Sequence, residues 1–341
     1  MARNDLILAG DIGGTKTHLA LFSQQGSKLQ SQSQKTFASQ DYSGLEPVLR
    51  EFLAAGENSY PLPEGEGRVR AACFGIAGPV VEGKVETPNL SWVVDAAKIA
   101  ETLELPSVSL LNDLQAAAYG IFTLEPHEFL CLNECVPTRG NRALIAAGTG
   151  LGETILYDDG RNYHPIASEG GHADFAPRDE LEIELLQFLI PNFGHVSYER
   201  VVSGPGIFNI YSFLKHRGGL EEPSWFTEKI SASSDPSPLI SQAALAGEPE
   251  ICVRTLDMFV SVYGAEAGNL ALKGKALGGV YVGGGIAPKI QEKLRDGAFM
   301  RAFIDKGRYK ELLSSVPVYV ILNDKAALRG AAYYASLGAH G

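Results

Sequence analysis

The sequence predicts an α/β fold in two halves, and three observations predict it. An apolar strand, a Gly-rich turn and a second apolar strand follow one another over residues 6–22, with the turn reading Gly10-Asp11-Ile12-Gly13-Gly14-Thr15. The same grammar returns over residues 143–157, around Gly148-Thr149-Gly150-Leu151-Gly152. Elsewhere strand patterns are mixed with helix patterns, an order that builds α/β layers rather than a sandwich or a bundle. At 341 residues the chain can bury a large core, and its length favours about two domains.

The elements read as follows. In the first half, residues 28–37 form a polar strand and 45–53 a short helix. Residues 56–67, with Pro61 and Pro63, read as a surface loop. An apolar strand over 68–76 ends at Gly75-Ile76-Ala77-Gly78-Pro79. Residues 94–105 read as a helix, a strand over 107–111 stops at Asn112-Asp113, and a helix follows over 114–122. In the second half, helices are expected over 179–189, 197–202 and 206–216, and the polar stretch 218–238 reads as a mobile excursion. A long helix over 250–272 carries Val253, Leu256, Val260 and Ala267 near helical spacing. A strand at 279–282, the turn Gly283-Gly284-Gly285 and a helix at 286–294 come next. A strand at 317–322 and a helix at 325–337 close the pattern.

Composition narrows the function. Apolar residues make up 45% and charged residues 20%, and 40 acidic against 29 basic side chains give a formal charge of −11. That balance argues against nucleic acid or an anionic membrane as the partner, so no nucleic acid and no membrane are expected. Asp5 and Asp11 interrupt the first apolar run, which does not read as a signal peptide. No apolar run reaches the length of a membrane span. Cys73, Cys131, Cys135 and Cys252 lie in or beside apolar segments and lack zinc spacing, so all four are expected to be buried free thiols in a reducing cytoplasm.

The glycine turns carry the chemistry. Asp11 to Lys16 is not a Walker A loop, because its spacing is wrong, and it is not a Rossmann fingerprint, because a strand rather than a helix follows it. Taken alone it reads equally as a hairpin whose Asp bonds its own backbone. The second copy tips the balance: two turns offering backbone N–H groups and a Thr hydroxyl suit phosphate, and a carboxylate beside one suits a hydrated Mg²⁺. At Gly283-Gly284-Gly285 the missing side chains let a flat base or ribose approach the backbone.

The ordered set of motifs resembles the sugar-kinase, Hsp70 and actin superfamily and, within it, the bacterial-type glucokinases. It is carried over nearly the whole length by Gly10-Asp11-Ile12-Gly13-Gly14-Thr15, Leu111-Asn112-Asp113, Gly148-Thr149-Gly150-Leu151-Gly152, Glu169-Gly170-Gly171-His172, Gly194 to Val201, Ser203-Gly204-Pro205-Gly206 and Gly283-Gly284-Gly285. The resemblance implies a two-domain actin-like ATPase with a ribonuclease H-like duplicated core and an interdomain active-site cleft. It implies a small α/β domain of residues 1–112 plus 325–341 and a large one of 113–324. The implied reaction is ATP-dependent phosphorylation of D-glucose to glucose 6-phosphate at the head of glycolysis, by a cytoplasmic enzyme that is a homodimer.

Residue by residue, the resemblance makes Asp113 the catalytic base. The sugar ligands it implies are Asn112, Asp113, Glu169, His172 and Glu199. Asn89 is a weaker candidate that an ordinary turn explains equally well. Asn112 and Asp113 also suit a helix cap, and Glu199 also suits an exposed helix face. ATP and Mg²⁺ are the implied cofactors: Asp11 for the metal, Gly10, Asp11, Ile12, Gly13, Gly14 and Thr15 with Gly148, Thr149 and Gly150 for the phosphates, and Gly283, Gly284 and Gly285 beside the adenosine. No Cys-rich zinc motif follows His172, which separates the chain from the zinc-containing repressor/ORF/kinase group. Two alternatives remain: a kinase for fructose, mannose or an N-acetylated sugar, and a non-enzymatic actin- or chaperone-like ATP-driven module.

Overall fold

The computed structural model describes residues 6–26, 28–59, 68–87, 90–136 and 138–338. It divides into two compact units, Met1–Pro126 with Asn323–Gly341, and His127–Leu322. In chain order the first unit contains β1 (Leu6–Ile12), β2 (Lys16–Gln25), β3 (Lys28–Ala38), α1 (Leu45–Ser59), β4 (Val69–Ile76), β5 (Lys84–Glu86), β6 (Val93–Asp95), α2 (Ala96–Leu103), β7 (Ser109–Asn112) and α3 (Asp113–Gly120). The second contains β8 (Phe129–Asn133), β9 (Arg142–Ala147), β10 (Leu151–Asp158), β11 (Tyr163–Ile166), α4 (Glu180–Phe193), α5 (Gly204–Arg217), α6 (Ser224–Ser231), α7 (Ser237–Ala246) and α8 (Glu250–Gly274). It continues through β12 (Val280–Gly283), α9 (Gln291–Arg295), α10 (Ala298–Ile304), α11 (Lys310–Ser314) and β13 (Val318–Ile321), after which α12 (Ala326–Gly338) returns to the first unit.

The sheet of the first unit has the order β3-β2-β1-β4-β7. Its first three strands are antiparallel, and β4 and β7 run parallel to β1. Successive side chains of a strand point to opposite faces, and β1 is apolar at both parities because both faces are covered. Leu8 and Ile12 pack with Leu45, Leu49 and Phe52 of α1 and Ile99 of α2. Ile7 and Ala9 pack with Ala116 and Tyr119 of α3 and Leu328, Ala331 and Ala335 of α12. The α3–α12 approach is close enough that a Cβ at Gly330 would run into the Ala116 carbonyl. That packing carries the first unit through α3 to Pro126, whereas the sequence reading ended it at residue 112.

The sheet of the second unit has the order β11-β10-β9-β12-β13-β8. Again an antiparallel meander (β9, β10, β11) is followed by two strands parallel to its first member, β12 and β13. The repeat visible in the glycine hairpins therefore extends to the order and direction of five strands in each sheet. The added strand β8 pairs antiparallel at the β13 edge. Helix α8 is buried on nearly every side and forms the spine of this core. A Cβ at Gly264 or Gly268 would strike the Phe299 or Phe303 carbonyl of α10, so two small residues set that helix contact.

Several expectations need correction. The stretch 218–238 is not a mobile excursion: it contains α6 and the start of α7, and Phe226 is completely buried in the core. One aromatic anchor outweighed the polar composition around it. The expected loop 56–67 begins inside α1, which runs to Ser59; residues 60–67 lie outside those described. Residues 197–202 make only a 3₁₀ turn at Tyr198–Arg200. Residues 94–95 belong to β6, and Asp95 caps α2 by accepting from the Ala97 N–H. The thiols are free, but only Cys73 and Cys252 are buried. Cys131 is exposed because β8 is an edge strand whose alternate side chains face outward.

Candidate active site

In the first unit the candidates cluster at the β1–β2 hairpin. The turn is closed by the Gly13 N–H donating to the Lys16 carbonyl at 2.9 Å, and Ser39, just after β3, holds it from outside. Ser39 Oγ donates to the Gly13 carbonyl at 2.8 Å and lies 3.0 Å from Thr17 Oγ1, while the Ser39 N–H donates to the Thr15 carbonyl at 3.0 Å. Thr15 is exposed at the tip. Gly10 must be small: a Cβ there would sit 2.6 Å from Phe74 Cδ1 and 2.9 Å from Leu19 Cδ2.

Asp11 pairs in register with Gly75 on β4, and a Cβ at Gly75 would stand 2.7 Å from Ala116 Cβ of α3. The small residues at 75 and 116 thus let α3 approach β1, so that Asp113, its first residue, shares a corner with Asp11. Burial, with the Asp113 charge adding to it, pushes the Asp11 carboxyl up to about 7. Asp113 itself is exposed at the N-terminus of α3, where the helix dipole favours a carboxylate. Asn112 caps that helix: its Oδ1 accepts from the Leu114 N–H at 2.9 Å, Gln115 completes a capping box, and Nδ2 donates to the Gly78 carbonyl at 3.2 Å. Capping therefore accounts for one Nδ2 hydrogen and one Oδ1 lone pair, leaving a second of each by chemistry. Asn89 lies outside the described residues.

The second unit gathers the other candidates around the β9–β10 hairpin. The Gly148 N–H donates to the Gly150 carbonyl at 2.8 Å, and the Gly204 N–H at the start of α5 donates to the Gly148 carbonyl at 2.8 Å. Thr149 is exposed. Glu199 is half-buried rather than on an outer helix face; its Oε2 accepts from the Leu151 N–H at 2.9 Å and stands 2.5 Å from where a Cβ at Gly150 would be. The Ser203 side chain caps α5 and donates to the Glu199 carbonyl at 2.7 Å, which fixes the backbone behind that carboxylate. Glu169 and His172 flank a 3₁₀ turn and are both exposed. The turn is sewn to the segment carrying Glu199: the Tyr198 N–H donates to the Ala173 carbonyl at 3.0 Å.

Gly283-Gly284-Gly285 joins this hairpin from below. Gly284 has φ +82°, and a Cβ on it would enter the Ala147 carbonyl, so glycine is required twice over. The Ile286 N–H donates to that carbonyl at 3.2 Å. Tyr263 of α8 was missed by the sequence reading. Its completely buried hydroxyl lies 3.2 Å from the Ala147 nitrogen and 3.3 Å from the Ile145 and Gly283 carbonyls, tying the two glycine turns together. No local signal points to it, since one Tyr on an apolar helix reads as core. Glu153 on β10 was missed too, although a charge inside an apolar strand was a usable signal.

Chemically, the first unit offers two neighbouring carboxylates beside a glycine turn, and the second offers two glycine turns beside Glu199 and the 169–172 turn. A cavity of about 830 Å³ in the second unit lies elsewhere, between α4, α5, α8 and α10; none of the candidates lines it. Its Arg178 and Lys293 are already paired with Glu182, Asp257 and Asp296. Among the described residues no group of three or more His, Cys, Asp or Glu could cage a metal ion, and no helix is long and apolar enough to cross a membrane.

Comparison with known proteins gives a consistent result. The family model described as Glucokinase matches residues 8–337. The glucokinase of Trichormus variabilis is 42% identical over 346 residues, covering 97% of this chain and 99% of the relative. That of Synechocystis sp. is 40% identical over 350 residues, covering 96% and 97%. Among solved structures, the glucokinase from an Antarctic psychrotroph superposes with a TM-score of 0.84 at 30% identity, covering 98% of this chain and 99% of that one. A Balamuthia mandrillaris glucokinase in complex with glucose shares the fold, with a TM-score of 0.73 at 17% identity and coverage of 97% and 94%.

Proposed function

The chain belongs to the glucokinase family and has its actin-like two-domain ATPase fold; from that premise we propose that it transfers the γ-phosphoryl group of ATP to the 6-hydroxyl of D-glucose, with Asp113 as general base. The observation that carries this reading is the corner formed by Asp11 and Asp113. One carboxyl is half-buried and pushed up to about 7, and the other is exposed at a helix N-terminus, so two chemically similar groups are tuned for two tasks. An exposed carboxylate suits accepting the hydroxyl proton as the sugar oxygen attacks phosphorus. Phosphoryl transfer depends mainly on positioning and charge stabilisation, which assigns the remaining residues to binding.

Glu169, His172, Glu199 and Asn112 are the ligands we propose for the sugar hydroxyls. Paired donors and acceptors discriminate strongly, because a missing hydroxyl leaves unsatisfied a partner that the bound sugar has shut off from water. The turns at 13–15 and 148–150 would take the phosphates through backbone N–H groups and the exposed Thr15 and Thr149 hydroxyls, and 283–285 would border the adenosine. The donor set fits Mg²⁺: two carboxyl groups, of which the half-buried Asp11 is pushed up to about 7, so that a cation would displace its proton. Asp11 would hold the ion, which when bound supplies positive charge opposite the phosphate oxygens. The resemblance also supports a cytoplasmic homodimer, and sedimentation of the purified chain checks its mass.

A coupled assay with ATP and a panel of hexoses tests the activity; a strong preference for a sugar other than glucose would overturn the substrate. Asp113→Asn tests the base. Its kcat should fall by about 10²–10⁴-fold while glucose affinity stays within about 2-fold. Near-normal turnover would remove Asp113 from that role.

A further inference from the structure

Glu153, the third residue of β10, is 2% exposed and has no part in the mechanism above. A Cβ at Gly170 would lie 2.5 Å from its Oε2 and 3.1 Å from its Cβ, so its carboxyl occupies the space directly under that glycine. A Cβ at Gly171 would enter the Leu151 carbonyl. The first three residues of β10 are thus the floor on which the 169–172 turn lies. They also hold Glu199, through the Leu151 N–H at 2.9 Å.

Behind the floor stands α8. Glu266 is completely buried, pairs with Lys273 Nζ at 3.1 Å and accepts from Asn269 Nδ2 at 2.7 Å. Asn269 Nδ2 also donates to the Tyr198 hydroxyl at 3.0 Å, one residue before Glu199. The groups whose charges act on or feel Glu153 are Glu266, Lys273 and Tyr263 of α8. The turn above adds Glu169 and His172, and Lys306 and Tyr198 approach Glu266. The second oxygen of Glu153, Oε1, is buried without a hydrogen-bond partner. A bare carboxylate tolerates that poorly, a neutral carboxyl far better.

We propose that Glu153 is a positioning residue for hexose binding: its carboxyl is the floor that keeps the 169–172 turn and Glu199 in one register. The role rests on reading those residues as sugar ligands. Burial, with the Glu266 charge adding to it, pushes the Glu153 carboxyl up to about 8, opposed by Lys273. At neutral pH the floor is therefore uncharged. Above about pH 8 the Glu153 carboxylate, with no partner at Oε1, faces the paired Glu266, and the turn is pushed off its seat.

The test is steady-state kinetics of wild type, Glu153→Gln, Glu153→Ala and His172→Ala, with glucose and ATP varied separately. In wild type the glucose KM should rise about 5-fold or more between about pH 7 and about pH 9, with the ATP KM unchanged. Glu153→Gln, a neutral isostere, should match wild type at about pH 7 and lose that alkaline rise. Glu153→Ala should raise the glucose KM by about 10-fold at neutral pH, with the ATP KM within about 2-fold. Identical pH profiles for wild type and Glu153→Gln would overturn the role, as would equal effects of Glu153→Ala on both substrates. If His172→Ala leaves the glucose KM unchanged, the sugar reading of the turn fails first and the role of Glu153 falls with it.

Discussion

The two glycine hairpins occupy the same place in two sheets of matching strand order, yet they are built for different work. In the first unit β1 brings a carboxylate, Asp11, to the hairpin, and the turn is braced from the side by Ser39 and Thr17. In the second unit β9 carries no carboxylate; Gly284 presses against the Ala147 backbone, and the brace comes through Tyr263. On the proposed reading both turns would face phosphate, the first with a carboxylate for a cation beside it and the second with the glycine run that would border a flat ring. A duplicated scaffold has diverged by changing what stands next to the turn rather than the turn itself.

Glycine-to-alanine changes at the two turns give the largest expected contrast. At Gly150 the new methyl group would meet Glu199 Oε2 at 2.5 Å, whereas at Gly13 the nearest atom is the Lys16 carbonyl at 3.2 Å. Gly150→Ala should therefore raise the KM of both glucose and ATP by about 10-fold, and Gly13→Ala only that of ATP, by about 2- to 3-fold. Equal behaviour of the two variants would erase the difference between the hairpins.

The carboxylate that only the first hairpin carries gives the next effect. Because the native Asp11 carboxyl titrates near 7, well above the usual carboxylate range, its proton is part of folded-state stability. That contribution is fully present below about pH 4 and is lost as pH rises through about 7. Under the proposed role of Asp11, Mg²⁺ would bind its deprotonated form. Its affinity, measured calorimetrically with the nucleotide present, should thus climb by up to about 10-fold per pH unit below about pH 7 and level off above it. Melting curves should show a larger Mg²⁺ stabilisation at alkaline than at acid pH. An Asp11→Asn variant should flatten both dependences.

The two braces give the smallest effects. Tyr263→Phe removes a hydroxyl that serves three buried backbone groups and should cost about 1–3 kcal/mol in stability, raising the ATP KM more than the glucose KM. Ser39→Ala should cost about 1 kcal/mol, felt mainly at the 13–15 turn. Denaturant midpoints at constant slope measure both.

Much of this was readable in advance. The strands flanking each hairpin are short apolar runs bounded by glycine, and the Asn112-Asp113 junction declares itself because cap chemistry is local. The capping alternative for Asn112 is present in the structure: the side chain does cap α3, so any sugar contact uses the remaining valences of the amide. The stretch 218–238 misled because its composition is polar, and burial of Phe226 depends on a core built by distant segments. The exposure of Cys131 depends on β8 being an edge strand, which strand order alone decides.

By itself, then, the sequence determined the α/β class, the repeated hairpins and the carboxylates near them. These follow from steric periodicity, glycine's freedom and hydrogen bonds that span a few residues. Tertiary structure decided what supports each turn. Tyr263 reaches Ala147 across 116 residues of chain, and Ser39 reaches Gly13 across 26. The same holds for Glu153 under Gly170 and for α12 packing back on α3. Such pairings leave no periodic mark along the chain, because they depend on which faces meet once the sheets have formed.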